Sequence, residues 1–198
     1  MKKGRLTTRS SGRVQQRRPA SPVRHRVAPL SSGSVRLHRN SSGASSVASE
    51  PKARNSQFEA VVRESFSRQA MMTSLGAPLV LVEPGRVHVS LARSASFTQQ
   101  NGFMHAGAIA SIADSACGYA AFTLAPPDTD VLAVELKINL LEPARASQFE
   151  ARAKVIQHGK TLSTCLAEIY GLDAGEETLV ATMMSTIIIK SGGGRGAA

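Results

Sequence analysis

The sequence predicts an α+β fold in which an antiparallel six-stranded sheet curls around one long buried helix. Three observations carry that expectation. The run from Ala106 to Leu124 holds Ile109, Ile112, Tyr119, Phe122 and Leu124 among many Ala, Gly and Ser, with Asp114 as its one full charge. A helix that is small and apolar all round belongs inside a protein, and it needs a sheet large enough to wrap it. The segments after it alternate apolar and polar residues, as strands do when one face is buried and the other solvated. Finally, Pro84-Gly85, His158-Gly159-Lys160 and the loop Gly171–Gly175 punctuate the apolar runs as hairpin turns.

In chain order, residues 1–55 come first and read as a disordered basic tail. They are rich in Ser and Arg, lack hydrophobic periodicity and carry Pro19, Pro22, Pro29 and Pro51. Such a segment buries too little apolar surface to offset its ordering entropy. The formal charge of +10 suggests nucleic acid until it is located. Of the basic residues, 13 lie between Met1 and Arg54 against the single acid Glu50, so the rest of the chain is near neutral. The basic character belongs to the tail, which shows no helix-turn-helix pattern; a nucleic-acid partner is not expected. The same acid-poor, Arg- and Ser-rich composition is that of an organelle transit peptide, so a cytoplasmic location and an organelle matrix both stay open.

Ordered sequence begins at Ser56. Phe58, Val61, Val62, Phe66, Met72 and Leu75 recur at helical spacing, with Glu59, Arg63, Glu64 and Arg68 opposite them. This predicts one amphipathic helix ending at Gly76. Leu79–Glu83 and Arg86–Leu91 read as two short strands, His88 alternating to the solvent side. After the buried helix, Leu132, Val134, Leu136, Ile138 and Leu140 alternate with Glu135, Lys137 and Asn139. Three further strands follow, around Phe149–Val155, Thr161–Tyr170 and Leu179–Ile189, so that the last four strands read as a meander. Residues 56–190 thus form one domain, and 191–198 a flexible Gly-rich end. A six-stranded sheet leaves edges exposed, and pairing edge to edge into a dimer would protect them.

Ala106–Leu124 approaches the length of a membrane span, but its Gly and Ser content and its central Asp argue against one. Cys117 and Cys165 lie in apolar runs and read as reduced core residues, and no metal-ligand spacing is present.

Asp114 is the anomaly. Burying a lone carboxylate costs several kcal/mol, roughly, and usually raises its pKa. Nothing on its helix can pair with it, which makes it a candidate for chemistry. His105 stands immediately before the helix, where the backbone N–H groups of Ala106 and Gly107 are expected to point outward and suit a developing oxyanion. The two side chains are nine residues apart, or roughly 13 Å along a helix axis. Catalytic partners must come within about 3 Å of the reacting atoms. If both act, the second comes from a two-fold-related subunit. Gln99, Gln100 and Asn101 are loop amides able to place a water or polarise a carbonyl. No Ser-His-Asp ordering, P-loop or dinucleotide fingerprint appears.

Three stretches carry a resemblance: Phe97-Thr-Gln-Gln-Asn101-Gly-Phe-Met-His105-Ala-Gly107, Asp114-Ser-Ala-Cys-Gly-Tyr-Ala120, and Val134-Glu-Leu-Lys-Ile-Asn-Leu-Leu-Glu-Pro-Ala144. Together they resemble the PaaI-like thioesterases of the hotdog superfamily. The resemblance implies a hotdog fold, dimers assembled into homotetramers, and hydrolysis of acyl-CoA thioesters. It casts Asp114 as general base or nucleophile and His105 as the group that orients or polarises the carbonyl. Ala106 would contribute its N–H to an oxyanion hole, and Gln99 or Asn101 would stand for the family's amide. It requires no metal and no cofactor. A non-catalytic acyl-CoA binder or sensor on the same scaffold is the alternative, and a hotdog dehydratase a further one.

Overall fold

A computed structural model describes residues 51–191, and most of the basic tail, residues 1–50, and most of the Gly-rich end lie outside them. The order of elements is α1 (Phe58–Ser67), α2 (Ala70–Leu75), β1 (Leu79–Glu83), β2 (Arg86–Ala92), α3 (Ala106–Phe122), β3 (Thr129–Leu140), β4 (Gln148–His158), β5 (Leu162–Asp173) and β6 (Glu176–Ser191). All pairings in the six-stranded sheet are antiparallel, in the order β1-β2-β4-β5-β6-β3. Helix α3 lies against β2, β3, β4, β5 and β6. Among the described residues no helix is long and apolar enough to cross a membrane.

The buried helix forms the centre as its composition predicts. Ile112, Ala113, Ala116, Cys117, Ala120 and Ala121 are fully buried. They meet Phe149, Ala151, Ala167, Ile169, Ala181, Met183 and Ile187, the inward residues of β4, β5 and β6. Small residues on the helix let the sheet come close. The C-terminus of α3 is locked by Thr123, whose hydroxyl donates to the Ala120 carbonyl at 2.7 Å and accepts the Gly85 N–H at 2.7 Å. The β1–β2 turn is thereby hung on the end of the helix, with Gly85 at φ +75°, a conformation that suits glycine.

Three sequence expectations are corrected here. The first concerns the meander: β3 does not neighbour β4 but pairs with β6 on the far edge, because α3 carries the chain across the sheet. Only β4, β5 and β6 run as a meander. The second concerns the amphipathic helix, which breaks at Arg68–Gln69. Gln69 is extended (φ −75°, ψ 101°), although neither Gly nor Pro is present there. The first of the two short helices buries Val62 and Phe66, the second Met72 and Leu75.

The third concerns β3, whose pairing with β6 shifts register between Ala133 and Glu135, leaving Val134 as a bulge. One extra residue inverts the alternation. Val131 and Ala133 share a face with the buried Ile189 and Ile187, and beyond the bulge Leu136, Ile138 and Leu140 join that same face. Leu132 instead sits on the outer face beside Ile188 and Leu162. Even so, Leu132, Val134, Leu136 and Leu140 are each about half exposed, because β3 has a free edge and α3 does not cover its full length.

Gly171 on β5 marks a close approach. A methyl group there would lie 2.9 Å from the Cβ of Ala146 and 3.3 Å from Val180 Cγ1, and a Cβ fixed to the backbone cannot swing away. Gly171→Ala is expected to lower stability by about 1–3 kcal/mol, read as a reduced denaturant midpoint with an unchanged slope.

Candidate active site

The chain reaches α3 through a loop fixed by backbone bonds. Gln99 N–H donates to Phe103 O (2.8 Å), and Gly102 N–H to Gln99 O (2.9 Å). Gly102 sits at φ +79°, which closes this tight turn. Met104 N–H then donates to Ala144 O (2.9 Å) and His105 N–H to Phe97 O (2.8 Å), so the entry to the helix is held from both sides.

His105 is the N-cap residue, and its own ring does the capping: Nδ1 accepts the Gly107 N–H at 2.9 Å. This corrects the expectation that Gly107 offers a free donor, since its N–H is consumed by the imidazole. Only Ala106 N–H, of the two proposed, has no acceptor among the described residues. The cap also determines the tautomer. With Nδ1 accepting, the neutral ring carries its proton on Nε2, which is then a donor. His105 is exposed and Ala106 half-buried, so a donor pair from adjacent residues faces outward at the helix N-terminus.

Beside that pair lies a cleft of about 400 Å³ lined by Gln99, Phe103, Met104, Ala106, Ile109 and the segment Leu140–Ala144. Gln99 is half-buried in it, and its Oε1 accepts the Asn101 N–H, which leaves the amide NH₂ as a donor. Asn101 is exposed and does not line the cleft. Of the two candidate amides, the geometry therefore puts Gln99 against the space next to Ala106. Phe103 forms one wall, with the Arg145 guanidinium stacked 4.7 Å from its ring centroid, a contact that no sequence spacing announces. Ile112 is wholly in the core and does not line the cleft.

Asp114 lies further along α3, in a second cavity of about 520 Å³ with Arg68, Gln69, Ser115, Tyr119, Asp130 and Ala133 on its walls. The helix is not sealed all round: Gly107, Ala110, Ser111, Asp114, Gly118 and Phe122 form an incompletely buried stripe at helical spacing. Asp114 is therefore half-buried rather than enclosed. Its Oδ1 is nevertheless shielded from solvent and has no hydrogen-bond partner. Burial holds its carboxyl above the usual aspartate range. His105 and Asp114 are not brought together within one chain, as their spacing requires. No group of His, Cys, Asp and Glu among the described residues is arranged to hold a metal ion.

Comparison with known proteins places this geometry. A family model described as "Thioesterase superfamily" matches residues 101–178, the stretch from Asn101 through α3 into β6. A solved thioesterase family protein from Silicibacter pomeroyi is 43% identical, with a TM-score of 0.67, over 68% of this chain and 99% of its own. The chain belongs to the thioesterase superfamily.

Two curated proteins of Saccharolobus solfataricus that carry an esterase name agree with this membership. One is 35% identical over 44% of this chain and spans only 62% of its own length, the other 29% over 65% and 83%. The PaaI protein of the E. coli phenylacetic acid degradation operon shares the fold at 20% identity and a TM-score of 0.63, covering 71% of this chain and 98% of its own. The hotdog architecture read from the sequence is thus borne out, and family membership supports thioester hydrolysis as the general chemistry.

A carboxyl whose pKa is raised by folding opposes the folded state when ionised. That group's stabilisation is full below the unfolded value of about 3.9 and is lost as pH rises through the higher folded value. Asp114→Asn is therefore expected to raise Tm at neutral pH, with the gain over the parent vanishing below about pH 4.

Proposed function

We propose that this protein hydrolyses acyl-CoA thioesters at a site shared between two copies of the chain, with Asp114 as general base. The observation that carries the reading is the solvent-shielded, unpartnered Oδ1 of Asp114, half a helix length away from an unused pair of donors at His105 and Ala106. Two copies of α3 running side by side in opposite senses would bring the carboxylate of one to the N-terminus of the other. The small-residue stripe through Gly107, Ser111, Asp114 and Gly118 suits such close approach, and the unpaired edge of β3 would continue the sheet into its twin.

In this arrangement the thioester carbonyl lies against Ala106 N–H and His105 Nε2–H, with Gln99 NH₂ beside it. Asp114 of the other subunit removes a proton from water as the water oxygen attacks the carbonyl carbon. The negative charge that forms on the carbonyl oxygen is met by the donors, which are fixed before reaction and need no reorganisation. Collapse of the tetrahedral adduct breaks the C–S bond and expels the thiolate. Thiols ionise near pH 8.5, so this leaving group requires no strong acid. The proton held by Asp114 then returns to solvent or to the thiolate. A raised carboxyl pKa makes Asp114 a better base than an ordinary aspartate.

A second apolar surface supports the homotetramer. Leu132, Ile188 and Leu162 are cross-strand neighbours on the outer face of the sheet, and Leu132, Leu162 and Met184 are all substantially exposed. Two sheets stacked back to back through this face would cover them.

Replacement of Asp114 by Asn is expected to lower kcat by about 10²–10⁴-fold on acyl-CoA without loss of assembly. A mixture of His105→Ala and Asp114→Asn subunits, each inactive alone, should recover activity on co-refolding, since hybrid dimers hold one complete site. Recovery absent from demonstrably hybrid dimers would refute the shared site. Saturable acyl-CoA binding with no CoA release would instead identify the non-catalytic binder.

A further inference from the structure

The break between α1 and α2 has no cause in the local sequence. Its consequence is visible on α3: extended Gln69 turns its side chain inward, where Oε1 accepts the hydroxyl of Ser115 at 3.1 Å. A helical serine ordinarily returns its hydroxyl to the carbonyl four residues back, as Ser111 does to Gly107 at 2.8 Å. Ser115, buried and directly after Asp114, gives its proton to Gln69 instead. One turn on, the Tyr119 hydroxyl lies 3.3 Å from the hydroxyl of Ser65 on α1. The α1–α2 segment is therefore tied to α3 at Ser115, directly after Asp114, and at Tyr119 one turn further on, and Gln69 lines the same cavity as the carboxylate.

We propose that Gln69 is a positioning residue for Asp114: by engaging Ser115 it fixes the turn of α3 that aims the carboxylate and keeps the neighbouring hydroxyl from donating to it. This rests on the reading of Asp114 as general base. A carboxylate with no protein donor is a stronger base than one that accepts a hydrogen bond, because such a bond stabilises the ionised form. The charged and titratable groups around the cavity are few. Arg68 comes from the junction but is engaged by Glu64 at 2.7 Å, Asp130 comes from β3, and Tyr119 from α3 itself. Cys117, also on α3, is buried as a thiol. None is hydrogen-bonded to the shielded Asp114 oxygen.

The test measures kcat and KM against pH in the full-length protein, with phenylacetyl-CoA and hexanoyl-CoA as probes. Variants are Gln69→Leu, Ser115→Ala, the pair together, and Gln69→Glu. Gln69→Leu and Ser115→Ala should each lower kcat by about tenfold or more with little change in KM, since misplacing a catalytic group by a fraction of an ångström is costly. Because both break one contact, the double variant should be no worse than the worse single. Gln69→Glu keeps an acceptor for Ser115 but adds a negative charge to the cavity, so the acid limb of the kcat/KM profile should move to higher pH. Unchanged kcat in folded Gln69→Leu, losses that multiply in the double variant, or an unmoved acid limb in Gln69→Glu would each overturn the proposal. Should the parent release no CoA from any thioester, the functional reading fails by itself. The Asp114 carboxyl resonance followed by ¹³C NMR then decides the positioning role: a higher titration midpoint in Gln69→Glu is expected, and superimposable curves would overturn it.

Discussion

The structure depends on one requirement: a 17-residue helix built mostly of Ala, Gly, Ser and a few aliphatics has to be covered. It has no polar face to offer water, so its stability derives from burial, and the sheet supplies that by curling around it. The connectivity follows. To lay α3 across five strands, the chain must leave β2 on one side and return on the opposite edge as β3. That crossing exposes the edge of β3 and leaves one stripe of the helix uncovered. Both features that point to a second subunit thus arise from the same packing problem.

The stripe also carries the proposed general base. A carboxylate on a fully solvated helix face would be an ordinary aspartate, and one in the core would be excluded altogether. Asp114 lies between these limits, with one oxygen shielded and the cavity open beside it. At the N-terminus of the helix the backbone dipole and the imidazole cap prepare a donor site from local residues alone. In the proposed reaction a single α3 carries both halves of the centre, one at its N-terminus and one at its middle. Only a symmetric arrangement of two such helices would unite them.

Much of this was legible in the sequence because it is written in composition and short spacing. The apolar run around Asp114, the turn residues at Gly85 and Gly159, and the His105–Ala106 helix start each have a local physical meaning. What was not legible depends on tertiary choices. The bulge at Val134 interrupts an alternation that looked unbroken, since an extra residue in a strand carries no compositional mark when it is as apolar as its neighbours. The break at Gln69 lacks Gly or Pro and follows from docking on α3. The loss of Gly107 as a donor arises because the His105 side chain folds back on its own helix, a rotamer that spacing does not specify. The preference for Gln99 over Asn101 in the cleft likewise follows from the Gly102 turn, which points one amide inward and leaves the other outside.

The two margins of the sheet are unequal: β1 contributes five residues and β3 twelve. A long, apolar, unpaired margin is a template for indiscriminate strand addition. In the proposed dimer a newly synthesised subunit would therefore pass through an interval of vulnerability that ends only when it meets its counterpart. The length of that interval would fall with subunit concentration, so that the yield of soluble particles would become a kinetic contest between correct mating and disordered accretion.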